Sequence, residues 1–234
     1  MSINNKKVVV VGGSSGIGYA TAAMAKKNGA DVVIASRPGQ RLESAAKALG
    51  IKAVAADVTS DEAVENLFRE TGPVDHVVVT AAVLRTGPIK TLAIADAKAT
   101  MESKFWGAWR VARFSTINAG GSLTIVSGFL SVRPRAGSAI VGAANGALES
   151  LVKALAIELA PVRVNAVSPG MIDTPIRAAM AEDARRALLK QLADALPVKR
   201  VGLADDIALP IIGFMENGFA TGSVLFLDGG GSIA

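Results

Sequence analysis

The turn Val11-Gly12-Gly13-Ser14-Ser15-Gly16-Ile17-Gly18 has the residue types and spacing to cradle a pyrophosphate. It follows a strand-like run, Lys7-Val8-Val9-Val10-Val11, and opens a helical pattern from Tyr19 to Lys26. Glycines there allow a tight turn, close approach of backbone to phosphate, and packing of helix on strand. The free N–H groups and positive dipole end of the helix would face the phosphate oxygens. Glycine triplets are common in turns, so the strand before and the helix after give this one its meaning. The cofactor candidates are Gly12, Ser14, Ser15, Gly16, Ile17 and Gly18. Ser36-Arg37, after the next strand-like run, bears on which dinucleotide binds. An acidic side chain there would bond a ribose 2′-OH and repel a 2′-phosphate, whereas arginine offers phosphate a planar cationic fork. Unless Arg37 is merely a solvated strand-end residue, NADP(H) is expected over NAD(H).

Such residues act together only if strands and helices bring them to one edge of a sheet. The chain alternates accordingly. Ala30 to Ala35 reads as a strand, Gln40 to Leu49 as a helix after Pro38-Gly39, and Lys52 to Ala56 as a third strand. Ser60-Asp61-Glu62 has the side chains of a helix start, and that helix ends near Glu70, before Gly72-Pro73. His76 to Val79 is a strand, followed by a long helical pattern from Ile94 to Ile117 that ends at Asn118-Ala119-Gly120-Gly121. Ser122 to Val126 is a strand, and a second long helix runs from Ser138 to Leu159. Val162 to Val167 is again a strand, Pro169-Gly170 turns the chain, and residues 171–197 read as an irregular helical segment. Ser223 to Leu227 closes the series before Asp228-Gly229-Gly230-Gly231. Repeated strand–helix units with short connections predict an α/β fold. It is a single-domain, Rossmann-type, doubly wound parallel sheet over residues 1–234, with helices on both faces.

Composition narrows the function classes. A hydrophobic share of 50% and a mean hydropathy of +0.40 suit strands buried on both faces. No uninterrupted apolar run approaches the roughly 20 residues of a bilayer span. Lys6-Lys7 pass straight into the first strand, unlike the start of a signal peptide. No membrane partner is therefore expected, and a cytoplasmic location is. The absence of cysteine removes disulfides, thiolate metal sites and a cysteine nucleophile, and no metal is expected. The net charge of +5 comes from 25 basic and 20 acidic residues, scattered singly or in pairs such as Lys26-Lys27 and Arg185-Arg186. Without a basic stripe or interleaved aromatics they read as solvated helix faces rather than a nucleic-acid surface.

The order of segments resembles the short-chain dehydrogenase/reductase family over essentially the whole chain. The matching pieces are the glycine turn, Asp57-Val58, and the run from Leu159 through Asn165-Ala166-Val167-Ser168-Pro169-Gly170. Ile172-Asp173-Thr174-Pro175, Asp205-Asp206-Ile207-Ala208, Thr221-Gly222-Ser223 and Asp228-Gly229-Gly230 complete them. The resemblance implies that Asp57 and Val58 flank an adenine, with Ala81 and Ala82 beside the cofactor. It also implies that Pro169, Gly170, Ile172 and Thr174 hold the nicotinamide end. Residues 171–197 would form a lid over a small-molecule substrate. A homo-oligomer, tetramer or dimer, is likewise implied, and Ala143, Ala144, Gly146, Ala147 and Leu148 suit close helix packing across a two-fold axis, with part of that pattern facing the sheet.

At its chemical centre the chain departs from the family. Aligned on the small residues before Glu149, the family's Tyr-x-x-x-Lys places Val141 at the tyrosine and Asn145 at the lysine. The family's spacing then puts Gly128 at its serine, with Ser127 one place earlier, and Lys104 at its asparagine. The Asn-Asn-Ala-Gly element reads Thr80-Ala81-Ala82-Val83. The one tyrosine, Tyr19, follows the cofactor turn, and the one histidine, His76, opens the fourth strand as a strand-edge residue. Lys104 and Asn145 thus look exchanged between helices. Lys104 either presents a cation to the nicotinamide region or extends to solvent. Asn145 either bonds a nicotinamide-ribose hydroxyl or only fills space. Phe105, Trp106 and Trp109 read as helix-packing or interface residues.

A positioned general acid is worth about 10²–10⁴ in rate, so its loss slows ketone reduction without removing cofactor positioning. Three routes remain. Lys104, through water or Ser127, could stabilise an oxyanion. The substrate could need no acid, as with an iminium or activated alkene. Or the fold could bind NADP(H) without redox turnover, as a regulator, cyclase or isomerase. The leading expectation is an NADPH-dependent reductase of a small carbonyl, enone or imine with a non-standard proton donor. Its catalytic candidates are Lys104, Ser127 and Asn145.

Overall fold

Valine runs build the sheet, because β-branched side chains suit a pleated surface covered on both faces. In the computed structural model, which describes residues 2–174 and 180–234, β1 (Lys7–Val11) is buried along Val8–Val11. Around it lie β2 (Asp31–Ser36), β3 (Lys52–Ala55), β4 (Val74–Val79), β5 (Ile117–Val126) and β6 (Arg163–Pro169). Two short strands, β7 (Ile172–Asp173) and β8 (Gly202–Leu203), pair apart from the main sheet, and β9 (Val224–Leu227) closes it. The order β3-β2-β1-β4-β5-β6-β9 is parallel throughout. Strand order reverses between β1 and β4, and the crevice at the carboxyl ends of such a pair is where doubly wound sheets bind ligands.

Alternation along the strands splits the core into two layers. Val9 and Val11 face α3 (Asp61–Thr71), α5 (Gly107–Phe114) and α6 (Ala139–Glu158). Val8 and Val10 face α1 (Gly16–Lys27), α2 (Gln40–Leu49) and α8 (Ala204–Glu216). Sequence reading marks only the Asp205-Asp206-Ile207-Ala208 motif of α8; in the fold Ile207, Ile211 and Met215 form a buried face and the helix packs along α1.

The expected helix from Ile94 to Ile117 is three pieces. These are α4 (Ile94–Met101), a π-helical turn over Glu102–Trp106, and α5, which stops at Phe114. Ile117 already belongs to β5, pairing with Val74, so Asn118-Ala119-Gly120-Gly121 is strand rather than helix end. The pairing is irregular there: β4 advances from Val74 to His76 while β5 advances from Ile117 to Ser122. His76 is no strand-edge residue. It lies buried inside β4, with Nδ1 2.9 Å from the Ser122 hydroxyl. Burial and the nearby Arg163 guanidinium lower its pKa to about 4.

In the 171–197 segment, β7 precedes α7 (Glu182–Ala195), on which no residue is fully buried. Its expected boundary at Pro175 lies outside the described residues. By length and composition one helix, α6, does reach the size and apolarity of a membrane span. Its Leu148, Leu151, Val152 and Leu155 pack on the sheet.

Candidate cofactor and active site

The glycine turn sits at the β1–β4 reversal, pressed against the end of β4. Gly12 has φ +93°, and a Cβ there would stand 2.5 Å from the Ala81 amide nitrogen and strike the Thr80 hydroxyl. A Cβ on Gly18 would run into the Gly12 carbonyl, so α1 starts directly over the turn. Ser15, at the N-cap, makes no side-chain cap bond, and the first turn of α1 holds no acidic residue. Its opening N–H groups therefore have no side-chain partner, the condition for binding an anion.

Of the other cofactor candidates, Ser36, Ala81 and Thr174 meet this turn. The Ser14 hydroxyl donates to that of Ser36 at 3.0 Å, tying the turn to the end of β2. Arg37 is exposed, with no carboxylate in ion-pair distance among the described residues. Asp57 accepts from the Thr59 amide and hydroxyl (2.9 and 2.8 Å). Val58 is buried against Gly107. Ala81 donates its N–H to Val11 (3.2 Å), and Ala82 follows it, exposed. Across the crevice Pro169 is buried, Gly170 donates its N–H to the Leu227 carbonyl (3.0 Å), and Ile172 is buried in β7. The Thr174 methyl lies 3.5 Å from where a Gly16 Cβ would point.

At the departing positions the structure is coherent rather than vacant. Val141 is buried in the first turn of α6. One turn on, Asn145 is 2% exposed and its Oδ1 has no hydrogen-bond partner. Its Nδ2 would be 2.8 Å from a Cβ on Gly128, so the amide occupies space that a side chain at 128 would need. Side-chain amide orientation is assigned from hydrogen bonding.

Lys104 does not extend to solvent. The π-helical turn carries it inward, 6% exposed, and its ammonium donates to the carbonyls of Val126 (3.1 Å) and Ser127 (2.9 Å). Two of its three N–H donors are so used. Burial lowers its pKa to about 8, against the opposing charge of Glu149. The Ser127 hydroxyl turns instead to the Glu149 Oε1 (3.0 Å), which also accepts from Ser131 (2.8 Å) and Ser168 (3.3 Å). Sequence reasoning misses Glu149 as a site residue. Its signal is an acid one helical turn beyond Asn145, following the small and apolar run Gly146-Ala147-Leu148.

The fold and this crevice define an α/β dinucleotide-binding protein. The glycine turn, the uncapped start of α1 and the orphaned Asn145 amide all fit such a ligand. The family model described as Enoyl-(Acyl carrier protein) reductase matches residues 11–232. The short-chain dehydrogenase/reductase ATR9 of Stachybotrys chlorohalonatus is 33% identical over 251 residues, covering 98% of each chain. The short-chain dehydrogenase/reductase ucsE of Acremonium sp. is 32% identical, covering 99% of this chain and 97% of its own. Among solved structures, a small-chain dehydrogenase in complex with NADPH is 34% identical with a TM-score of 0.86, over 99% of this chain and 100% of its own. The MalC Reductase/Diels-Alderase of Malbranchea aurantiaca is 25% identical with a TM-score of 0.92, over 99% and 98%. The chain belongs to the short-chain dehydrogenase/reductase family.

Proposed function

We propose that this protein is an NADPH-dependent reductase of a small carbonyl, enone or imine substrate, with Lys104 in place of the family's tyrosine as its ionisable group. One observation carries the reading: the uncapped glycine turn after β1 and the buried Lys104 ammonium, bonded to the carbonyls of Val126 and Ser127 at the end of β5 and with its pKa lowered to about 8, belong to the same carboxyl edge of the sheet. The glycine turn and α1 would hold the pyrophosphate, Ser14, Ser36 and Arg37 a 2′-phosphate, and Asn145 a nicotinamide-ribose hydroxyl. The bound cofactor supplies hydride. Lys104, with one N–H left after its two carbonyl bonds, offers positive charge and a proton toward the developing oxyanion. Because the Ser127 hydroxyl bonds Glu149, any proton relay from Lys104 runs through water. The NADPH complex of a 34% identical relative supports the cofactor assignment. The test is NADPH oxidation over a panel of ketones, enones and cyclic imines, with Lys104→Met as control.

A second reading has its own support. Val141 and Gly128 bring no proton donor, and the relative at TM-score 0.92 is named a Reductase/Diels-Alderase. On that reading the same crevice binds NADP(H) without turnover, or shapes a substrate for cyclisation or isomerisation. It prevails if NADPH binds and no member of the panel oxidises it.

The reading includes a lid over 171–197 and assembly as a homodimer or homotetramer. Supporting assembly, Trp106 and Trp109 are 44% and 42% exposed, and Ile94, Met101, Trp106 and Ile140 line a groove of about 600 Å³. Ala143 lies exposed on α6 beside the half-buried Ala147.

A further inference from the structure

We infer that Arg135 anchors a carboxylate on the substrate, so that the protein acts on an oxo acid or unsaturated acid in preference to its neutral counterpart. This rests on the reading that a substrate enters the crevice above the cofactor, and it adds what that substrate must carry. Arg135 lies on the segment joining Gly128, at the end of β5, to Val141 in the first turn of α6. Its loop therefore borders the departing positions. Its backbone is fixed: the Ser138 hydroxyl, itself buried, accepts from the Arg135 amide (3.0 Å) and donates to the Arg135 carbonyl (2.6 Å). Its guanidinium stacks 5.3 Å from the centroid of the buried Phe129 ring. One terminal nitrogen stands 4.0 Å from the sulfur of Met171, which directly follows Pro169-Gly170 at the end of β6. The cation is thus held between the two loops that frame the nicotinamide end.

What it lacks is an anion. Among the described residues no carboxylate lies in ion-pair distance of Arg135, and residues 127–138 contain no acid. Asp173, the acid following Met171 most closely, is taken by Arg185 at 2.7–2.8 Å. A guanidinium braced on an aromatic face keeps its planar fork free, and the natural complement of that fork is a carboxylate bound by two parallel N–H bonds. Preorganisation reduces the ordering cost of the contact. A neutral ester offers the fork only a weaker, uncharged acceptor.

The experiment compares binding of 4-oxopentanoate and 4-oxo-4-phenylbutanoate with that of their methyl esters, by calorimetric titration of the full chain with and without saturating NADP⁺. In at least one pair the acid should bind about tenfold or more tightly than its ester. Arg135→Gln should abolish that preference, Arg135→Lys should keep part of it, and Arg133→Gln on the same loop should leave it intact. NADPH affinity should be unchanged in all three variants, which reports a folded cofactor site. Equal binding of acid and ester, failure of all four probes to bind, or a preference that survives Arg135→Gln overturns the anchor. Acid preference that depends on Arg135 without NADPH oxidation leaves the anchor standing and removes the redox reading. Oxidation of NADPH by acid and ester alike, unaffected at position 135, does the reverse.

Discussion

The amide of Asn145 lies against the backbone of Gly128, so close that a Cβ on Gly128 would stand 2.8 Å from Nδ2. Positions 128 and 145 are therefore coupled through one packing contact. Restoring the serine alone with Gly128→Ser should force the Asn145 amide aside and cost about 1–3 kcal/mol, the usual penalty of overpacking. Adding Asn145→Ala should recover the part of that loss that comes from the clash, leaving the strain of a side chain at φ +159°. Thermal or urea melts of the single and double variants measure it, and strictly additive effects would show that the two residues do not compete.

Arg37 should set cofactor preference. Fluorescence titration should show clearly tighter binding of NADPH than of NADH, and Arg37→Asp should narrow or reverse the difference, because the carboxylate repels a 2′-phosphate and accepts from a 2′-OH. Equal affinities in the unmodified protein would exclude this role.

Lys104→Met keeps the stem and deletes the charge and the proton. We expect kcat on any substrate found to fall at least about tenfold, equivalent to about 1.4 kcal/mol of transition-state stabilisation, with NADPH affinity little changed. In the unmodified protein the rate should decline as pH rises through about 8, since the ammonium is the active form and loses its proton there. A kcat that Lys104→Met leaves intact would reduce the residue to a brace for the Val126 and Ser127 carbonyls.

His76 should make the fold acid-sensitive. Its pKa is about 4 in the folded chain against 6.5 in the open one, so the unfolded state binds the extra proton between those values. Stability is complete above pH 6.5 and should fall by about 3 kcal/mol as pH drops toward 4. Urea melts from pH 7 to 4 test this against His76→Gln, whose curve should be flatter by that amount.

Sedimentation should find a dimer or tetramer at micromolar concentration, and Ala143→Arg should dissociate or weaken it. A stable monomer in the unmodified protein would sink the assembly reading.

The glycine turn was legible in the sequence because its function is carried by backbone, and only glycine satisfies the contacts of Gly12 and Gly18. The buried strands were legible because valine runs have few other uses. Side-chain aim was not. Lys104 could have pointed either way, and what decides it is a π-helical turn with no composition signature of its own. Of the three hydroxyls that meet Glu149, Ser127 and Ser131 come from the segment after β5 and Ser168 from β6, so no spacing along the chain brings them together. The start of β5 was hidden for a related reason: Ile117 is strand because Val74 pairs with it, not because its neighbours favour extension.

The π-helical turn at Glu102–Trp106 makes the inner site and the outer face heritable as a unit. A π turn amounts to one residue inserted into an α-helix, and each residue turns an α-helix by about 100°. Losing a single codon here would merge α4 with α5 and rotate everything beyond it. Lys104 would leave the carbonyls of β5, and Trp106 and Trp109 would swing away from where they now surface. Evolution cannot retune the buried cation by shifting register without also redrawing the aromatic exterior, so lineages that keep one should be found to keep the other.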